Sequence, residues 1–333
     1  MPRLRRVSPA LPGWARRRAG RGFRYVDEHG RPLSAEQVER VRSLVIPPAW
    51  REVWISPLEN GHLQAVGTDD AGRRQYLYHP AWRQRRDQQK HRRVTQAAAL
   101  LPAVRSQVER DLRRAGMPVE RVTALAVRLL DEGCFRIGND VYADVHGSFG
   151  LTTLLRRHVR RQGGSLRFRF TGKSGIEHDL TISDPEVLAA VHTLRRRPSE
   201  SERLLAYRGA DGWRDLTATM VNAYLAPLFR TDFTAKDFRT WHGTVIAAES
   251  LALSDEPGDT GASRKRAIRA AVREVAGYLG NTPAVARASY IDPRVFDRYE
   301  SGLRIDADVA RAHQGTRGRE AVEAAVLDLL NGD

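Results

Sequence analysis

The spacing of apolar residues changes period at about residue 91, and this change divides the chain in two. Over residues 23–90 short apolar runs alternate with a period of two, as half-buried strands do. Residues 62–68 and 74–78 are predicted strands, and Asp69-Asp70-Ala71-Gly72 between them is turn chemistry. Ser34 and Gln37 have the spacing of a capping box ahead of a short helix, with Val38, Val41 and Leu44 on one side. Ile46-Pro47-Pro48 ends that helix. The basic stretch at residues 83–93 reads as a linker or as the start of the next helix.

From about residue 91 apolar residues recur every three or four positions, over residues 94–114 and Val119–Gly133. A β interlude follows at Val159–Gln162, residues 166–170 and residues 176–182, with Gly163-Gly164 and Lys173-Ser174-Gly175 as turns. Helices return at Asp184-Pro185, over residues 217–229, 234–251 and 264–279, at Thr282-Pro283 and over residues 319–330. The expected class is α+β, with a small antiparallel-β N-terminal domain (23–90) and a mostly helical domain with a three-stranded antiparallel sheet (91–333). Residues 1–22, rich in Arg, Pro and Gly, are expected to form a flexible basic arm.

Charge narrows the function. Lys plus Arg is 55 and Asp plus Glu is 40, a net charge of +15. Such a surplus repels itself unless the partner is a polyanion, and nucleic acid is the usual one. Only Lys90, Lys173, Lys236 and Lys265 are lysine, so each lysine asks why Arg was not used. Arg keeps its proton near neutral pH, whereas a Lys can surrender one. Cys134 is the single cysteine, which excludes an intrachain disulfide and a cysteine-built zinc site. There is no signal-peptide core near the N-terminus and no run of about 18 apolar residues, so a cytoplasmic location is expected.

Three motifs fail on inspection. Thr171-Gly172-Lys173-Ser174 resembles the end of a P-loop, but the position that needs glycine is Arg167, and a strand follows where a helix is required. The ten histidines form no zinc-protease pair, and no Gly-x-Ser-x-Gly elbow occurs. No cofactor or metal is expected.

Breaking a phosphodiester without a metal needs an in-line nucleophile, cations on the non-bridging oxygens and an acid for the leaving oxygen. Tyr, Arg and Lys suit these tasks in that order. Cys134-Phe135-Arg136-Ile137-Gly138 with Phe149-Gly150-Leu151-Thr152-Thr153-Leu154 resembles the first arginine motif of poxvirus and bacterial type IB DNA topoisomerases. Phe170-Thr171-Gly172-Lys173 with Ile176-Glu177-His178 is similar to their lysine-bearing hairpin, and Lys236-Asp237-Phe238-Arg239-Thr240 to their second arginine box. Residues 275–283 followed by Ala288-Ser289-Tyr290 resemble the segment that carries their tyrosine. Gly72 to Tyr78, with Trp82-Arg83, resembles a DNA-contacting strand. The pieces stand in family order between about residues 23 and 300.

The resemblance implies the catalytic fold shared by tyrosine recombinases and type IB topoisomerases. It implies that Tyr290 attacks to leave a 3′-phosphotyrosyl bond, that Arg136 and Arg239 hold the scissile phosphate, and that Lys173 protonates the 5′ oxygen. Lys236 is expected near the same phosphate, and Gln75, Tyr76, Tyr78 and Arg83 at the DNA. Duplex DNA is the implied partner, held by a monomer closing as a clamp, in the bacterial nucleoid and away from membranes. Viral members carry a histidine nine residues before the tyrosine, where this chain has Asn281, which can donate a hydrogen bond but carries no charge. Two rivals share the pattern. A tyrosine recombinase usually reads His-x-x-Arg in the second box, where this chain has Lys236. A non-catalytic DNA-binding protein would never become covalently attached.

Overall fold

The structure, a computed structural model, describes residues 3–133, 135–138, 147–256, 258–312 and 315–332. Cys134, the first residue of the first arginine motif, lies outside them. The chain forms two compact units, Met1–Lys90 and His91–Asp333.

The first unit is built on a five-stranded antiparallel sheet. Strands β1 (Trp14–Ala19), β2 (Gly22–Val26), β3 (Arg51–Ile55), β4 (Leu63–Thr68) and β5 (Arg74–Tyr78) lie in the order β2-β1-β3-β4-β5. Helix α1 (Ala35–Ser43) starts with the Ser34–Gln37 capping box, both of whose hydrogen bonds form. Trp14, Val41, Val53, Ile55 and Ala65 make a small core of their own. The expected flexible arm is corrected here. Trp14 is buried, and β1 pairs with both β2 and β3. Nearer the terminus, the Arg5 amide donates to the Asn60 carbonyl at 2.9 Å. A run of arginines hides a strand because alternate side chains point to solvent, and the Arg16 guanidinium is spent inside the unit on the carbonyls of Ile46, Pro47 and Trp50.

Helix α2 (Pro80–Ala98) takes in the basic stretch and runs on into the second unit. The single helix expected over residues 94–114 is broken. α3 begins at Leu101 and runs to Leu112, because Pro102 has no N–H to continue the preceding ladder and is tolerated only in a first turn. Then come α4 (Val119–Gly133), the hairpin strands β6 (Val159–Gln162), β7 (Ser165–Thr171) and β8 (Glu177–Ile182), and α5 (Pro185–Arg196). A second small sheet, β9 (Ala206–Gly209) with β10 (Gly212–Asp215), was not expected. Helices α6 (Ala218–Phe229), α7 (Ala235–Ala252), α8 (Gly261–Leu279), α9 (Pro283–Ser289), α10 (Pro293–Glu300), α11 (Ala307–Arg311) and α12 (Gly315–Asn331) complete the unit. α4 and α7 are buried over most of their surfaces and form its centre. Among the described residues no helix is long and apolar enough to cross a membrane.

A buried ionic network fastens these helices. Arg105 on α3 donates to both oxygens of Asp131 on α4, at 2.8 and 3.2 Å, and to both of Glu323 on α12, at 2.6 and 2.8 Å. Arg319 on α12 reaches Asp131 at 2.6 Å and lies 2.8 Å from His242 Nε2, while the Trp241 indole donates to Glu323 at 3.3 Å. Burial alone would push the Asp131 carboxyl up, but Arg319, His242 and Arg105 hold it well below the usual carboxylate range. Removing one member of such a set strands the others in a low dielectric. Asp131→Ala is therefore expected to lower unfolding free energy by about 3–5 kcal/mol in urea denaturation.

Its neighbour Glu132 has the opposite character. Burial, then the charge of Asp184, push its carboxyl up to about 7 against the pull of Arg128. Because the folded pKa is raised above the ordinary 4.5, Glu132 favours folding below that value and loses the effect as pH rises through about 7. The melting-temperature difference, Glu132→Gln minus wild type, is expected to be more positive at pH 8 than at pH 5. An equal difference at both pH values would show that Glu132 is not the titrating group.

Candidate active site

Arg136 sits three residues beyond α4. Its backbone is pinned by Leu151 N–H donating to the Arg136 carbonyl at 2.8 Å and by the Thr152 N–H and hydroxyl, both donating to the Ile137 carbonyl at 2.9 Å. The two segments approach closely enough that a Cβ on Gly150 would fall 2.5 Å from the Gly138 Cα. Phe135 beside it is buried and packs on Phe168 and Phe170 of β7. The half-buried Arg136 guanidinium donates to Asn281 Oδ1 at 2.6 Å and to the Gly280 carbonyl at 3.4 Å.

Arg239 lies in the second turn of α7, whose N-terminus is closed by Asp237 accepting from the Thr234 amide at 2.9 Å. Arg93 also donates to Asp237, at 3.0 Å. Arg239 is only 3% exposed, and it donates to the Leu279 carbonyl at 2.6 Å. Both arginines thus bond to the end of α8. There Gly280 adopts φ +59° and caps the helix, and the Asn281 amide turns back to the Ala276 carbonyl at 2.9 Å. The amide side chain of Asn281 offers its oxygen to Arg136, while its Nδ2 is buried with no hydrogen-bond partner among the described residues.

Thr282 and Pro283 then start the short helix α9, which ends at Tyr290. Tyr290 reaches the arginines because α7 carries Gly243, where a Cβ would stand 2.6 Å from the Tyr290 carbonyl oxygen. The Thr244 hydroxyl accepts from the Asp292 amide at 3.0 Å and fixes the segment on its far side. The Tyr290 ring is 7% exposed, and the Arg239 Cζ lies 5.3 Å from its centroid. Burial alone would push the phenol up. The charges of Arg239 and Arg136, a hydrogen bond from Arg239 and the charge of Lys236 outweigh it and leave the phenol below its ordinary value. This is the electrostatic signature of an activated nucleophile beside an anion-binding pocket.

The fold therefore brings Arg136, Arg239, Asn281 and Tyr290 together, with the exposed Lys236 close enough to act on Tyr290. Lys173 stands apart, exposed in the turn between β7 and β8, where its amine has no partner among the described residues. In the first unit Tyr76 and Tyr78 are exposed on one face of edge strand β5, their rings stacked at 6.2 Å. Gln75 alternates to the other face and donates to Asp69 at 2.8 Å, and Arg83 is exposed on α2. One neighbour of the site, His178, was named in the hairpin motif but given no role. Burial, and then the charges of Arg239 and Arg136, hold its imidazole below the ordinary value against a smaller pull from Glu177. Period-two alternation from Phe170 across the turn could have placed it inward.

Comparison with known proteins identifies the family. The family model described as eukaryotic DNA topoisomerase I, catalytic core, matches residues 79–313, and that of the bacterial DNA topoisomerase IB N-terminal domain matches residues 22–69. DNA topoisomerase 1B of Acanthamoeba polyphaga mimivirus is 28% identical over 300 residues, covering 87% of this chain and 88% of its own. DNA topoisomerase 1 of Rabbit fibroma virus is 22% identical, covering 70% of each chain. DNA topoisomerase 1B of Vaccinia virus (strain Copenhagen) is 20% identical, covering 70% of this chain and 71% of its own. The catalytic-core match spans well over half of the chain, so the protein belongs to the type IB DNA topoisomerases, in their poxvirus-like bacterial branch.

Proposed function

We propose that this type IB topoisomerase relaxes supercoils of either sign by cutting one strand of duplex DNA through Tyr290 and resealing it. The observation that carries the assignment of Tyr290 is its buried phenol beneath Arg239, held below its ordinary pKa despite burial. With a phosphodiester in the pocket, Arg136 and Arg239 take the non-bridging oxygens, and the free Nδ2 of Asn281 supplies a further donor. The phenol gives its proton to solvent water, and its oxygen forms a bond to phosphorus. The bond from phosphorus to the 5′ oxygen breaks, and Lys173 gives that oxygen a proton. A 3′-phosphotyrosyl link and a 5′ hydroxyl result. The free end swivels, and the hydroxyl attacks in the reverse step, returning its proton to the lysine. One phosphodiester replaces another, so resealing needs no ATP.

Residues 1–90 supply the other half of a monomeric clamp in this proposal, with Tyr76, Tyr78, Gln75 and Arg83 as DNA contacts and Lys236 near the scissile phosphate. The net charge of +15 supports tight, salt-sensitive binding to the nucleoid DNA of a bacterium.

The purified chain is expected to relax negatively supercoiled plasmid in EDTA without ATP, and Tyr290→Phe to leave it supercoiled while still shifting it on a gel. Relaxation by the Phe variant would remove Tyr290 from the mechanism. In single-turnover cleavage, Arg136→Ala and Arg239→Ala should each lose about 10²–10³-fold, because each removes a charged donor from the transition state. Asn281→Ala should lose less, about 10-fold, because a neutral donor contributes less. A larger loss for Asn281 than for either arginine would reverse that ranking.

A further inference from the structure

The reaction scheme gives His178 no task, yet its ring occupies a place where two catalytic segments meet. In register His178 pairs with Phe170 across β7 and β8, and the two rings stack at 4.9 Å and 18°. On one side lies Gly172, the residue before Lys173. A Cβ there would stand 2.6 Å from both Cδ2 and Nε2 of the imidazole. On the other side lies Gly280, the residue before Asn281. A Cβ there would stand 2.9 Å from the imidazole Cε1 and 3.6 Å from the Ile176 Cγ2. The ring thus fills the gap left by two absent side chains, one at the neck of the lysine turn and one at the turn that presents Asn281. Both turns are hydrogen-bonded at these points. The Gly172 amide donates to the Ile176 carbonyl at 2.7 Å, and the Gly280 carbonyl accepts from Arg136 at 3.4 Å.

We infer that His178 is a positioning residue that seats the lysine-bearing hairpin on the Gly280–Asn281 turn and so sets where Lys173 meets the leaving oxygen. The inference rests on the proposed role of Lys173 as the acid. His178 itself touches no reacting atom. The charged groups that act on it are Arg239, Arg136 and Glu177, and burial with the two guanidiniums favours the neutral imidazole. It therefore works by shape and contact and not as a further cation. Its leverage is large because the exposed Lys173 side chain has no hydrogen-bond partner of its own among the described residues. A shift of about 1 Å in a reacting group can cost on the order of 10²-fold in rate.

The test compares single-turnover formation of the covalent adduct on two duplex oligonucleotides of one sequence. One has oxygen at the bridging 5′ position of the scissile phosphate, and the other has sulfur. A thiolate leaves without a proton, so sulfur bypasses the acid but not the phosphate-binding arginines. His178→Ala is expected to slow the oxygen substrate by about 10- to 100-fold and to react with the sulfur substrate within about threefold of wild type. Lys173→Ala, run beside it, should show the same rescue, and Arg136→Ala should not. A His178→Gln variant, which fills the gap in part, should fall between Ala and wild type and decides the matter if the Ala variant does not fold. Slow reaction of His178 variants on both substrates, with Lys173→Ala rescued, overturns the inference, as does a wild-type rate on oxygen. If Lys173→Ala is itself not rescued, the general-acid assignment fails, and the inference falls with it.

Discussion

Two arginines and two buried carboxylates tie together the central helices of the second unit. Arg105, Asp131, Arg319 and Glu323 lie on α3, α4 and α12, and through Trp241 and His242 they also grip α7. Buried ion pairs gain little over well-packed apolar groups, because desolvation cancels most of their attraction. Their force is in exclusion. If one helix slips by a turn, a largely buried charge is left without its partner. Asp131 is five residues before Arg136, and His242 is three residues after Arg239. The network thus stands directly behind both arginines of the site and ties the helices that present them.

Close approach is the second constraint, and glycine provides it. Gly150 against Gly138 sets the Arg136 turn, Gly243 lets the Tyr290 backbone lie on α7, and Gly280 ends α8 so that Asn281 meets Arg136. Each is a place where one extra carbon would push apart segments that now lie in contact. The electrostatics follow from this crowding. A tyrosine so deeply buried should resist ionisation, yet two guanidiniums and a lysine at short range reverse the balance. Burial, with the charges of Arg239 and Arg136 behind it, holds the neighbouring imidazole of His178 below its ordinary value.

Much of the second unit was legible in the sequence. The three hairpin strands and their turns and the N-caps at Asp184 and Thr282 rest on local rules, namely period, capping and turn chemistry, whereas the order of the motifs rests on resemblance to the family. The errors have separate causes. β1 was read as part of a loose arm because its arginines mask the alternation, and β9 and β10, at four residues each, are too short to show a period. The break at residues 99–100 follows from Pro102, whose missing N–H cannot continue the preceding helix.

By itself the sequence determined which chemistry the chain could attempt. It supplied one tyrosine, two arginines, a lysine in a turn and an asparagine in family order, on a basic chain. It also determined the local elements that carry them, since caps and periodicity act over a few residues. Only the tertiary structure decided that Arg136 and Asn281, 145 positions apart, share a hydrogen bond, that Arg239 lies over Tyr290, and that His178 fills the space between two glycines. Those contacts depend on charges and volumes satisfied jointly by helices distant in the chain, and no local pattern records how such sums close.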